Sequence, residues 1–227
     1  MTPTRSSAAK GSARSSRAMA VAATPDLEHL DAEGVLAYAV ERFHPRLYAA
    51  CSFQKEASVI MDMILRIEPE ARFFTIDTGV LFGETRATWR ALERRYGIEV
   101  DVFDASRPDG EPWTAERCCS ERKVEAVRQA LGGVDAWITG LRREHSPSRA
   151  ETAKLHWDDR NGLWKANPLA DWTERDVWRY IARHDVPYNE LHDRGYESIG
   201  CVPCTQPGQG REGRWAGTDK IECGLHG

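Results

Sequence analysis

Four of the six cysteines fall in two close pairs, Cys118-Cys119 and Cys201-Val202-Pro203-Cys204. Paired thiolates of this kind are the ligand set of a metal site. Zinc usually takes cysteine pairs separated by two to four residues. Directly adjacent cysteines diverge along the backbone and suit the separate iron corners of an iron–sulfur cubane better. The spacing points to iron–sulfur, with zinc as the alternative. Disulfides are the other use of so many thiols. They belong to oxidising compartments, and the first 25 residues carry no continuous apolar core of a secretory signal. Cys51 sits in an apolar stretch and reads as core. Cys223, in Glu222-Cys223-Gly224-Leu225-His226, has two readings. It is an incidental terminal thiol, or a nucleophile on a tail, with Arg211 and Arg214 favouring its thiolate.

Cations form the second chemical group. Arg122, Lys123, Arg142, Arg143, Arg149, Arg211 and Arg214 fall at predicted loop or site positions. Any one of them is most simply a solvated surface residue. As a set they suit a dianionic ligand, because guanidinium groups grip phosphate or sulfate bidentately. Lys123 follows Cys119 by four residues and shares its helical face. The run Ser52–Ser58 joins an expected strand to an expected helix, where free N–H groups attract anions. Ser52 and Ser58 add hydroxyls there and Lys55 a charge. The run is not a Walker A loop.

The elements that must position these groups alternate. Asp31 caps a helix through Val35, Leu36, Ala39 and Val40 that Pro45 ends. Leu47–Phe53 reads as a buried strand. Ala57, Ile60, Met61, Ile64 and Ile67 keep helical spacing up to Pro69. Strands then follow at Arg72–Asp77, Ile98–Phe103 and Ala136–Leu141. Between them lie helices at Glu84–Tyr96, stopped by Gly97, and Trp113–Leu131. Thr173 opens a last helix, with Asp176 as its capping partner. This alternation predicts an α/β fold: a single Rossmann-like domain whose mainly parallel, twisted sheet is flanked by helices on both faces. Ligands bind such sheets beyond the carboxyl ends of the strands. The loops after Phe53, Asp77 and Thr139-Gly140 should then share one crevice.

The chain has 227 residues, 29% of them charged, with a formal net charge of −4. That is a globular composition with room for a full core. No apolar run nears the ~20 residues a membrane span needs, and the net charge argues against nucleic acid as a partner. Residues 1–25 carry Arg5, Lys10, Arg14 and Arg17 but no acid. They read as a disordered basic tail rather than an organelle transit peptide, since no amphipathic face is visible. Residues 26–205 form the expected domain, and 206–227 a mobile C-terminal segment carrying Cys223.

Several of these motifs resemble the assimilatory adenylylsulfate (APS) reductases, which group with the PAPS reductases and are related to the N-type ATP pyrophosphatases. They are Cys118-Cys119-x-x-Arg122-Lys123, Gly200-Cys201-x-Pro203-Cys204-Thr205, Arg211-Glu212-Gly213-Arg214-Trp215 and the terminal Glu222–His226. Ser52–Ser58, Ile76-Asp77-Thr78-Gly79, Ile138–Arg143 and Asn167-Pro168-Leu169 also fit, so the likeness runs from about Leu47 to His226. It implies reduction of APS to sulfite and AMP. It implies a 4Fe–4S cluster on Cys118, Cys119, Cys201 and Cys204, and an S-sulfo intermediate on Cys223 that thioredoxin or glutaredoxin resolves. Substrate contacts are expected from Ser52, Lys55, Thr78, Gly79, Lys123, Gly140, Arg143, Arg149, Arg211 and Arg214. PAPS-specific relatives lack both cluster pairs, so APS is the expected substrate and PAPS, or both nucleotides, the nearest rival.

The Ser52–Ser58 loop lacks the glycines of the ATP-cleaving relatives, which leaves less room for a triphosphate. The sequence also ends without a fused thioredoxin-like domain, so an external reductant is implied. The expected location is the cytoplasm, and a homo-oligomer is left open. Two more distant rivals are a non-catalytic metal-binding regulatory module and an adenylyltransferase releasing pyrophosphate from ATP.

Overall fold

The computed structural model describes residues 25–108 and 121–218. The basic head, Cys118, Cys119 and Cys223 therefore lie outside the described residues.

Asp31 accepts the Gly34 N–H and caps α1 (Ala32–Phe43). Then follow β1 (Leu47–Ala50), α2 (Lys55–Ile67), β2 (Arg72–Asp77), α3 (Gly83–Tyr96), β3 (Asp101–Asp104), α4 (Glu121–Ala130) and β4 (Ala136–Ile138). Two short 3-10 turns, Arg143–His145 and Pro147–Arg149, lead to β5 (Leu155–Asp158), β6 (Leu163–Ala166) and α5 (Glu174–His184). Thr173 and Asp176 close a reciprocal capping box at the start of α5.

The six strands lie in the order β3-β2-β1-β4-β6-β5. All neighbours pair in parallel except β5 with β6. The strand order reverses between β1 and β4, so the sheet has a topological switch point at their carboxyl ends. Side chains alternate faces as the pleat requires. Leu47, Ala49, Phe73, Ala136 and Ile138 join the core that also holds residues of α1, α2, α3 and α5. Tyr48, Phe74 and Trp137 point the other way, to Val127 and Ala130 of α4. The sheet is thus covered on both faces, as the alternation of elements predicts.

Three strand boundaries differ from the sequence expectation. β1 stops at Ala50, and Phe53 takes a left-handed backbone (φ 57°) that turns the chain into α2. β3 begins at Asp101 rather than Ile98. Gly97 ends α3 in a left-handed cap, and the Val100 N–H is taken by the Glu93 carboxylate. β4 is shorter than Ala136–Leu141, although Thr139 N–H still donates to Ala166 O across 2.9 Å. The β5–β6 hairpin was not expected. Asp158 accepts the N–H groups of Arg160 and Asn161 and so folds its turn.

Candidate active site

A cavity of about 360 Å³ opens where β1, β2 and β4 end, a volume suited to a small-molecule ligand. Ala50, Phe74, Ile76, Val127 and Trp137 give it an apolar wall. Ser52, Lys55, Thr78, Lys123, Gly140, Arg149, Arg211 and Arg214 also line it. The structure thus brings together most of the side chains that the sequence assigns to substrate.

Two assigned residues stand elsewhere. Gly79 does not line the cavity. It holds a left-handed φ of 76°, and its N–H donates to Asp77 Oδ1 at 2.8 Å. Arg143 turns away: its Nε donates to the Thr152 carbonyl and its Nη2 pairs with Glu28 at 2.5 Å. The alternating direction of residues in an extended chain sends Arg142 inward and Arg143 outward. Ser58 also does not line the cavity. It is buried, and its hydroxyl donates to the Gln54 carbonyl at 3.4 Å.

The start of α2 is less open to anions than expected. Its Lys55 N–H donates to His192 Nε2 at 3.4 Å, while Gln54 Oε1 takes the Ile199 N–H at 2.7 Å. The Lys55 ammonium is buried and donates to the Glu197 carbonyl at 3.0 Å. It also pairs with Glu174 at 3.2 Å and Glu56 at 3.8 Å. Its charge is therefore balanced by protein.

Gly140 sits where β4 passes α2. A Cβ there would come within 2.9 Å of Glu56 Cβ, so only glycine permits this approach. Beside it lies a buried ionic cluster that the sequence did not reveal. Arg142 donates to Glu56 Oε1 (3.0 Å), Glu144 Oε2 (2.7 Å), Glu174 Oε2 (2.6 Å) and the Trp172 carbonyl (3.2 Å). Burial opposes the charge on Glu56. The His145 hydrogen bond and the Lys55 and Arg142 charges outweigh it and hold its carboxyl well below the usual carboxylate range. Burial lowers His145 from its ordinary value, reinforced by Arg142 and Arg149 against the pull of Glu56. The sequence signal was only an acid next to a base, Lys55-Glu56, with partners more than 80 residues away.

The rim cations come from three segments. Lys123 stands in the first turn of α4. Arg149 closes the second 3-10 turn and is 8% exposed. Arg211 and Arg214 arrive on a strap after α5. Isolated bridges Leu81–Cys201, Tyr196–Gly208 and Thr205–Arg214 hold the strap, so residues 206–218 of the expected C-terminal segment are hydrogen-bonded into the domain. The Arg214 guanidinium lies over the Trp215 ring, 4.5 Å from its centroid. It also fills the space above Gly200, where a Cβ would meet Arg214 Nη2 at 2.3 Å. Its Nε is buried with no hydrogen-bond partner among the described residues.

Cys201 and Cys204 are both buried at 4% exposure, against Trp215, Val80 and Leu81. Thr78 Oγ1 stands 3.1 Å from Cys201 Sγ, and Cys204 Sγ reaches the Cys201 carbonyl at 3.6 Å. Two soft sulfur donors in an apolar shell suit an iron–sulfur or zinc site. Among the described residues no group of three His, Cys, Asp or Glu side chains is placed to hold a metal ion. Cys51 is buried apart from this pair in the main core, and burial pushes its thiol up to about 12, which leaves it unreactive.

An open, mostly parallel α/β sheet with a cation-rimmed cavity at its switch point defines a doubly wound ligand-binding protein. Comparison with known proteins narrows that class. The phosphoadenosine phosphosulfate reductase domain model matches residues 46–207, and this chain belongs to that family. A relative from Salinibacter ruber named adenosine 5'-phosphosulfate reductase is 41% identical over 209 residues, covering 86% of this chain and 83% of the relative. The protein of that name from Bacillus pumilus is 43% identical over 207 residues, covering 85% and 89%. Among solved structures, a phosphate complex of the phosphoadenylyl-sulfate (PAPS) reductase from Candida auris superposes with a TM-score of 0.66 at 30% identity. It covers 79% of this chain and 92% of that one.

Proposed function

We propose that this chain reduces adenylylsulfate to sulfite and AMP in sulfate assimilation, using thioredoxin or glutaredoxin as reductant. The observation that carries this reading is the cavity: an apolar wall for a base, and a lining that also holds Lys123, Arg149, Arg211 and Arg214 for a dianion. The relatives named adenosine 5'-phosphosulfate reductase supply the choice of nucleotide.

In this reading the Cys223 thiolate attacks the sulfur of the sulfonate. The bond from sulfur to the phosphate oxygen breaks, its electron pair leaves with AMP, and Cys223 carries an S-sulfo group. A thiolate of the reductant then attacks the Cys223 sulfur and expels sulfite with the bonding pair. The second thiol of the reductant resolves the mixed disulfide and is oxidised with it. The rim cations offset repulsion between thiolate and sulfonate and stabilise charge gathering on the leaving phosphate. Preorganised contacts of this kind are worth roughly 10²–10³ in rate each.

Cys118, Cys119, Cys201 and Cys204 would hold a 4Fe–4S cluster. Cys201 and Cys204 offer buried, closely spaced sulfur donors for half of it. When bound, the group would order the Cys201 loop and tune the field at Lys123, while the displacement at sulfur is a two-electron step that needs no electron from it. Full activity and an unchanged cluster spectrum in Lys123→Ala would refute that role. On this reading, dependence on an external dithiol reductant supports the cytoplasm as its location.

The test is an intact mass. Anaerobically purified protein incubated with APS should gain one sulfonate on Cys223 that thioredoxin removes as sulfite. An adduct on another residue, or no adduct, would overturn the assignment. A second reading, PAPS as substrate, is favoured by the Candida auris neighbour. Competitive turnover of the two nucleotides separates them.

A further inference from the structure

The His145 imidazole lies between the ionic cluster and the rim. Its Nε2 is 3.0 Å from Glu56 Oε1. Its Nδ1 faces two donors, the Arg142 backbone N–H at 3.3 Å and Arg149 Nη1 at 3.1 Å. Neither donor can become an acceptor, because a guanidinium does not deprotonate and a peptide N–H has no available lone pair. Nδ1 must therefore carry the lone pair and Nε2 the proton, which it donates to the Glu56 carboxylate. The bonds on either side fix one tautomer and one ring orientation.

We infer that His145 is a positioning residue. It accepts from Arg149 Nη1 and so sets the plane of that guanidinium at the cavity wall. The inference deepens the proposed function and rests on its reading of Arg149 as a substrate contact. Glu56 is the anchor. Arg142, saturated by Glu56, Glu144, Glu174 and the Trp172 carbonyl, braces it from behind. Arg142 is thus committed to the scaffold, while Arg149, which lines the cavity, is oriented through His145. The arrangement has the logic of a carboxylate orienting an imidazole that orients a working group.

Two consequences separate this role from a merely structural one. A side chain that can accept from Arg149 and donate to Glu56 should substitute for His145. Glutamine does both, with its carbonyl oxygen and its amide nitrogen. Protonation should also break the arrangement. An imidazolium presents N–H at both nitrogens, so Nδ1 would then point a donor at Arg149 and at the Arg142 N–H. The groups facing the ring are Glu56 from α2, Arg142 from the segment after β4, and Arg149 from the second 3-10 turn. Lys55, Glu144 and Glu174 lie behind them. Burial, reinforced by the charges of Arg142 and Arg149 against the pull of Glu56, keeps the imidazole neutral below its ordinary range.

The experiment measures APS affinity by equilibrium binding in a Cys223→Ser background, so that no turnover intervenes, with melting temperature as the check on folding. His145→Leu should weaken APS binding on the order of 10- to 100-fold, the worth of a hydrogen bond to a charged group. His145→Gln should restore most of it. On top of Arg149→Ala, His145→Leu should add less than about twofold, since the oriented group is then gone. Affinity in the His145 protein should fall as pH drops below the ordinary imidazole value, and His145→Gln should remove that fall. Full additivity with Arg149→Ala, or an acid fall that His145→Gln leaves in place, overturns the inference while the proposed function stands. Absence of APS binding in the folded Cys223→Ser protein overturns the proposed function and this inference with it. The pH comparison needs only His145→Gln, so it decides the matter even where His145→Leu does not fold.

Discussion

His192 makes the fold acid-sensitive in a way that can be worked from its contacts. It sits in the 3-10 turn Glu190–Arg194 and ties that turn to the start of α2. Nδ1–H donates to the Tyr196 carbonyl at 2.8 Å, and Nε2 accepts the Lys55 N–H at 3.4 Å. The ring also meets the edge of Trp178 at 5.8 Å. A proton on Nε2 would face the Lys55 N–H, the positive end of α2 and the Lys55 ammonium. Burial, followed by the Lys55 charge, pushes the imidazole down to about 4 against 6.5, with Glu56, the Tyr196 carbonyl and Glu174 pulling the other way. The folded protein therefore resists a proton that the unfolded chain takes readily. Stability is fully present above pH 6.5 and is lost as pH falls toward 4. The cost is about 2 kcal/mol at pH 5 and about 3 kcal/mol at pH 4. Urea unfolding midpoints measured from pH 7.5 to 4.5 should show this slope. His192→Gln keeps an acceptor for Lys55 and a donor for Tyr196 but cannot titrate, so it should flatten the curve by that amount. Equal slopes in the two proteins would refute the reasoning.

Gly200→Ala should drive the Arg214 guanidinium off its seat, since the new methyl would stand 2.3 Å from Nη2. Nucleotide affinity should fall on the order of 10- to 100-fold, with little change in melting temperature, as isothermal titration and calorimetry would show. Gly140→Ala meets the fixed Cβ of Glu56 at 2.9 Å. There the end of β4 must move, and chemical denaturation should show a loss of about 1–3 kcal/mol. Asp62 accepts from Tyr180 (2.6 Å), Tyr96 (2.8 Å) and Arg66 (2.8 Å), joining α5 and α3 to α2. Asp62→Ala leaves those donors without their acceptor and should cost about 3 kcal/mol in urea unfolding.

What the sequence made legible follows from how local each signal is. Asp31, Gly97 and the Thr173–Asp176 pair act within one turn, so α1, α3 and α5 were readable almost to the residue. The alternation of short apolar strands with helices gave the parallel sheet and hence the end at which the cavity opens. The hairpin was harder. Its Asn161-Gly162 turn signal sits in a polar stretch, and β5 and β6 have only four residues each. Arg149, Arg211, Arg214 and Lys123 were identifiable as part of a set of cations at predicted loop or site positions, and all four line the cavity. Lys55 showed the limit of that reasoning, because its balancing charge on Glu174 is remote along the chain. Arg142 and Arg143 are adjacent and chemically identical, yet one is buried in the cluster and the other is drawn out to Glu28. Residue type alone does not distinguish them; strand-like alternation does.

The strap that carries Arg211 and Arg214 has a consequence for biogenesis. The sheet is complete once residue 166 has been made, but Arg211 and Arg214, two arginines of the cavity lining, are made well after it. In chain order, the sheet and the Lys123 and Arg149 positions therefore precede the strap that completes the cavity lining. Arg214 takes its place in the lining only once the Leu81–Cys201 and Thr205–Arg214 bridges can close.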